Sequence, residues 1–173
     1  MSGLTVGRGQ DKGVDVGPLI EEKAVESVHQ LVTDAIHDGA TLVTGGSAPE
    51  GPGYFYSPTV LVDVHPESEI NSNEIFGPVA PITTFATEEE ALARANGTEY
   101  GLASYAYTRD LARTIRLAES LDYGMVGINS GLISNPAAPF GGVKSSGFGR
   151  EGGFEGIEEY LDTTYVALPA ADP

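Results

Sequence analysis

Cysteine is absent from the 173 residues. Disulfides, zinc-thiolate sites and a cysteine nucleophile are therefore excluded within this chain. Basic residues are scarce: 9 Lys and Arg stand against 25 Asp and Glu, for a net charge of -16. Such a balance repels phosphate backbones and anionic lipid, so nucleic acid and membrane surfaces are poor partners. Long apolar runs are missing as well, and no stretch approaches the roughly 20 residues that cross a bilayer. The start, Met1-Ser2-Gly3-Leu4, lacks the basic and apolar regions of a secretory signal. The expected compartment is the cytoplasm. The three histidines, His29, His37 and His65, have no metal-ligand spacing, and no metal site is expected.

What is present is an ordinary globular composition, 40% hydrophobic, with a loop-rich share of 23 glycines and 11 prolines. Residues 1 to 18 read as loop. Val25, Val28, Leu31, Val32, Ala35 and Ile36 then recur at helical spacing and stop at Gly39, which predicts a helix over roughly 20 to 38. Strands are expected at Thr41–Thr44 and over Tyr54–Val64, the latter with Pro58 marking an edge or a break.

The middle of the chain alternates. Val79–Phe85 is β-like, and Thr87-Glu88-Glu89-Glu90 has the form of a capping box. The helix it opens ends at Asn96-Gly97, so the formal sequon Asn96-Gly97-Thr98 reads as a helix stop. Ala103–Tyr107 follows as strand, Asp110 caps another helix, and Met125–Asn129 is the next strand. Strand, helix, strand, helix, strand with short links implies a parallel βαβαβ sheet in an α/β fold. Ligands in such sheets bind beyond the carboxyl ends of the strands, which points to the loop after Asn129 and the one before Val79. The tail is expected as a short helix over 156 to 161 and a strand over 162 to 168 whose partner is best sought on another subunit.

Gly147-Phe148-Gly149-Arg150-Glu151-Gly152 matches the GxGxxG string of dinucleotide-binding turns. The string needs a strand before it, a helix after it and an acidic residue about 20 positions on, within a βαβ unit. Glycine-rich Pro139–Lys144 precedes it and too little chain follows. Lys144-Ser145 also falls short of a phosphate loop, because Val143 stands where glycine is required.

Two other loops carry candidate chemistry. In Asn73-Glu74-Ile75-Phe76-Gly77-Pro78 a carboxylate can accept two ribose hydroxyls and a ring can stack on a heterocycle. The same residues also read as a turn with a core phenylalanine and a solvated glutamate. In the loop from Asn129 to Gly142, Ser134 can hydrogen-bond an anionic substrate and Phe140 can wall a pocket, or they are a turn hydroxyl and a core ring.

Glu74-Ile75-Phe76-Gly77-Pro78, Pro139-Phe140-Gly141-Gly142-Val143-Lys144-Ser145-Ser146-Gly147 and Gly149-Arg150-Glu151 resemble the aldehyde dehydrogenase superfamily. Val6-Gly7, Asp15–Ile20 and Gly156–Leu161 fit the same pattern, so the resemblance covers nearly the whole chain. Gly127–Ser134 leading into Ala138-Pro139-Phe140 is similar to the succinate-semialdehyde branch. The resemblance implies the catalytic-domain fold over residues 1 to 161, with residues 162 to 173 as an oligomerisation strand and tail. It implies that Glu74 binds the nicotinamide ribose of NAD or NADP and that Phe76 packs beside the nicotinamide. Ser134 would bind the substrate carboxylate and Phe140 would line the aldehyde tunnel. It makes the GxGxxG a structural loop near that tunnel, and its similarity to a nucleotide turn a coincidence.

The same resemblance implies a cysteine nucleophile, hydride transfer to the nicotinamide, and hydrolysis by a glutamate-activated water. No residue here can be that cysteine, so the chain is expected to be the C-terminal part of such an enzyme and inactive alone. A non-catalytic assembly module from a truncated gene is the alternative, with a small-ligand binding domain as a weaker third.

Overall fold

A computed structural model describes residues 1–168. They fall into two compact units, one from Met1 to Glu90 and one from Ala91 onward.

In the first unit, α1 runs Glu22–His37. Its buried face is Val28, Val32 and Ala35, with Val25 and Leu31 partly covered, as the helical spacing predicts. It stops where Gly39 adopts φ +104. Gly39 N–H donates to Ile36 O at 3.0 Å, and Ala40 N–H to Ala35 O at 2.9 Å. Those two bonds are the Schellman closure, which satisfies carbonyls the helix would otherwise leave open. β1 (Thr41–Thr44) pairs antiparallel with β2 (Thr59–Val62), and β2 pairs parallel with β3 (Val79–Pro81). The helix buries its face in one cluster with Tyr56, Leu61, Val64 and Ile70. Each such fully buried side chain stabilises the unit by about 1.5–3 kcal/mol.

Two of the three strands expected here are shorter than the sequence suggested. Tyr54–Val64 shrinks to Thr59–Val62 because Pro58 has no N–H for a ladder; pairing begins at Thr59, whose N–H donates to Pro78 O at 2.8 Å. Val79–Phe85 shrinks to three residues ending at Pro81 for the same reason.

In the second unit, β4 (Ala103–Ala106) and β5 (Met125–Ile128) form a parallel pair joined through α3 (Leu111–Ser120). Asp110 caps α3 through its side chain, which accepts from Arg113 N–H at 2.8 Å. The preceding helix, α2, spans Glu88–Asn96. Its box is offset by one residue: Glu90 N–H donates to Thr87 Oγ1 at 3.2 Å, while Glu90 Oε2 accepts from Ala86 N–H at 2.8 Å. Asn96 ends α2, and its amide donates to Ser120 O at 2.7 Å and accepts from Asp122 N–H at 2.9 Å.

The fold is α/β with parallel strands, but the expected single βαβαβ sheet is corrected. β3 is hydrogen-bonded to β2, and β4 to β5, in separate sheets. Among the described residues of the tail, 155–160 form a 3-10 helix where the sequence suggested a helix over 156 to 161. Residues 162–168 are exposed and carry no strand pairing, against the expected strand. A strand is defined by its partner, and the single chain supplies none there. Residues 169–173 of the expected oligomerisation segment lie outside the described residues. No helix among the described residues is long and apolar enough to cross a membrane.

Candidate functional site

The turn from Glu74 to Pro78 is built by packing on the first unit's core. Ile75 points into the cluster, and Gly77 lies against Val28, whose Cγ2 would stand 2.7 Å from any added Cβ. Pro78 O accepts from Thr59 N–H. Between these fixed points Phe76 is held at φ +47, and its side chain is 81% exposed. A non-glycine residue in this region costs about 1–2 kcal/mol. The ring is therefore not a core ring; it is displayed at a conformational cost that other contacts offset. Glu74 is exposed two residues away.

The second candidate loop leaves the carboxyl end of β5. Asn129 sits at φ +55, and its amide closes on Thr108, accepting from the N–H at 2.8 Å and donating to the O at 2.7 Å. The loop then turns back. An added Cβ on Gly127 would lie 2.8 Å from both Ile133 Cγ2 and the Tyr105 ring, so Gly127 makes room for Ile133 to fold onto the strands. Ser134, the next residue, is left exposed. Asn135 Oδ1 accepts from Ala137 N–H at 3.0 Å, an Asx turn that directs the chain toward Phe140.

Phe140 is pinned by its backbone: its N–H donates to Glu151 O, and Glu151 N–H donates to Phe140 O, both at 2.7 Å. Its ring is 39% exposed and helps to line a cleft of about 650 Å³ with Leu102, Phe148, Arg150 and Tyr160. Glu74 and Phe76 thus share one turn of the first unit, and Ser134 and Phe140 share one loop of the second. Among the described residues no group of three or more His, Asp or Glu could hold a metal ion.

The GxGxxG segment is not a pyrophosphate cradle. A 3-10 turn at Lys144–Ser146, not a strand, leads directly into it, and a 3-10 helix at Glu155–Tyr160 follows it. Arg150 N–H already donates to Glu159 Oε1 at 3.2 Å, so a carboxylate occupies the place of an incoming anion. The Arg150 guanidinium is spent on Gly142 O and Gly149 O, at 2.8 and 2.7 Å. Two features of the site escaped the sequence reading. One is the side-chain closure of Asn129 on Thr108; the other is the set of contacts made by Lys144. Both join residues far apart in sequence, and no periodicity signals them.

The geometry defines a class first: an α/β protein whose displayed aromatic and carboxylate precede the strand β3 and whose long loop leaves the carboxyl end of parallel strands. The aldehyde dehydrogenase family model matches residues 1–166. The succinate-semialdehyde dehydrogenase of Paenarthrobacter nicotinovorans is 57% identical over 100% of the chain, which covers 38% of that protein. The glutarate-semialdehyde dehydrogenase of Pseudomonas aeruginosa is 53% identical over 95% of the chain, covering 34% of that protein. The crystal structure of Mycobacterium tuberculosis aldehyde dehydrogenase complexed with NAD+ superposes with a TM-score of 0.90 at 41% identity, over 99% of this chain and 36% of that one. The chain belongs to the aldehyde dehydrogenase family, and it spans about a third of the length of these relatives.

Proposed function

We propose that the chain is the C-terminal part of an NAD(P)-dependent aldehyde dehydrogenase that oxidises succinate semialdehyde to succinate. The observation that carries this reading is the 57% identity, over the whole chain, to a succinate-semialdehyde dehydrogenase. Glu74 is the acceptor for the ribose hydroxyls, and Phe76 offers a face to the nicotinamide. The fit rests on chemistry: an exposed carboxylate with two acceptor oxygens and an exposed ring stand two residues apart in one turn. When bound, NAD or NADP would supply the hydride acceptor. The remaining work of these residues is binding and orientation, which lowers the entropy cost of reaching the reactive geometry.

Ser134 binds the substrate carboxylate through its hydroxyl, and Phe140 walls the path of the aldehyde. The nucleophile is not among the 173 residues, none of which is cysteine. The isolated chain is therefore catalytically silent with either cofactor. Residues 162 to 168 pair with another chain, and the enzyme is a homo-oligomer. The exposure of Tyr165 (89%) and Leu168 (84%) supports that pairing.

The test is selectivity in the full-length enzyme. kcat/KM is measured for succinate semialdehyde, glutarate semialdehyde and an uncharged aldehyde of similar length. Succinate semialdehyde is expected to lead. Ser134→Ala is expected to lower its advantage over the uncharged aldehyde by about tenfold or more, the weight of one hydrogen bond to a charged group. Preference for the uncharged aldehyde, or an unchanged ratio in the variant, would sink the assignment.

A further inference from the structure

We infer that Lys144 is a positioning residue that fixes the loop carrying Phe140 through the C-terminal end of α2. The inference rests on the role given to Phe140 above.

Lys144 is held at φ +55. In that unusual conformation its ammonium donates to Asn96 O at 3.0 Å and pairs with Asp122 Oδ2 at 3.1 Å. It also lies 5.5 Å from the centre of the Tyr123 ring. The Lys144 side chain is 21% exposed, well covered for a lysine, while its partner Asp122 is 61% exposed. Asn96 is the last residue of α2, where carbonyls lack intrahelical partners and the dipole favours a cation.

The frame that receives the lysine is itself fixed. The Asn96 amide ties Ser120 O and Asp122 N–H together, and Tyr123 O–H donates to Ala95 O at 2.6 Å. The strip around Lys144 is laced to the residues before β4. Val143 N–H donates to Gly101 O at 3.0 Å, Ser145 N–H to Glu99 O at 2.9 Å, and Gly101 N–H to Ser146 Oγ at 2.9 Å. Four residues upstream, Phe140 is bridged through its backbone to Glu151. Beside the bond from Ser145 Oγ to Glu99 Oε2 at 3.0 Å, Lys144 thus carries a charged tie from the Phe140 segment to the helix end. Its loss moves a wall of the substrate path while leaving the cofactor turn of the first unit alone.

The experiment uses the full-length dehydrogenase. Lys144→Met keeps an unbranched stem over Tyr123 and removes the charge and its donors. KM for the aldehyde is expected to rise by about tenfold, with kcat within about twofold and KM for the cofactor unchanged. Lys144→Arg is expected to restore at least half of the loss on a logarithmic scale. A fall in kcat that tracks lowered thermal stability at constant KM, or no change at all, overturns the inference. If Lys144→Met fails to fold, Asp122→Asn is read instead; a rise of about two- to threefold in aldehyde KM is expected, and no rise overturns it. If the wild-type enzyme oxidises no aldehyde, the functional reading above falls. The anchor is then judged by amide exchange, expected to be about tenfold faster at Phe140 and Glu151 in Lys144→Met, with equal rates overturning it.

Discussion

Tyr56 is buried to 1% exposure with its hydroxyl 3.2 Å from Nδ1 of His29, an exposed residue on α1. Burial pushes the phenol up to about 12. The hydroxyl therefore keeps its proton at neutral pH and shares a hydrogen bond with Nδ1, the imidazole tautomer setting which of the two donates. The histidine gives the one polar atom of a buried ring an outlet.

A pH dependence follows from that shift. The folded state favours the neutral phenol, whereas an unfolded tyrosine ionises near pH 10. Below pH 10 the group is neutral in both states and full stability is kept. As pH rises from about 10 toward 12, the unfolded state loses protons first and stability falls. Thermal unfolding of the full-length enzyme between pH 9 and 12 should decline more steeply in the wild type than in Tyr56→Phe. His29→Ala strands the hydroxyl and should cost about 1–3 kcal/mol at pH 7. Equal slopes for the wild type and the phenylalanine variant would refute the account.

Phe76 offers a trade between stability and binding. At φ +47 its backbone is strained, and its ring, 81% exposed, gains little from packing within the chain. Phe76→Gly removes the strain and the face together. The full-length variant should lose no thermal stability, or gain up to about 1 kcal/mol, while KM for the cofactor rises severalfold. A destabilised variant with unchanged cofactor KM would place the ring in a structural role instead.

How much of this was legible from the residues depends on the range of the forces involved. α1 and its stop at Gly39, the cap at Asp110 and the β4–β5 pair all rest on local signals, and they stand as the sequence implied. The partner of β3 was misjudged because pairing is a tertiary choice; a three-residue strand ending in Pro81 carries no mark of its neighbour. The tail reads as a strand from its sequence, yet residues 162–168 are unpaired, since pairing depends on a partner that local sequence does not specify. The candidate site divides in the same way. Glu74 and Phe76 are neighbours in one turn and could be proposed from a short string. The contacts of Lys144 with Asn96 and Asp122 bridge 48 and 22 positions, and only the folded chain brings them together.

The glycine-rich end of the chain is explained by backbone packed on backbone, and Gly124 tests it. An added Cβ there would fall on the carbonyl oxygen of Gly141, with Gly142 Cα only 2.8 Å away. A Cβ added to Gly142 would likewise lie 2.6 Å from Ser146 Cβ, and one added to Gly141 would lie 2.6 Å from Gly149 O. None of these neighbours is the end of a flexible side chain, so no rotamer change can relieve the clash. Either β5 separates from the Phe140 loop or the variant fails to fold, which puts Gly124→Ala at about 3 kcal/mol or more. Gly147→Ala is the control. It has nothing within 4 Å of its Cβ and only the strain of φ +114, so it should cost about 1–3 kcal/mol. Denaturant unfolding of both full-length variants gives the order. A milder effect at Gly124 than at Gly147 would mean that the glycines serve conformation and not close approach.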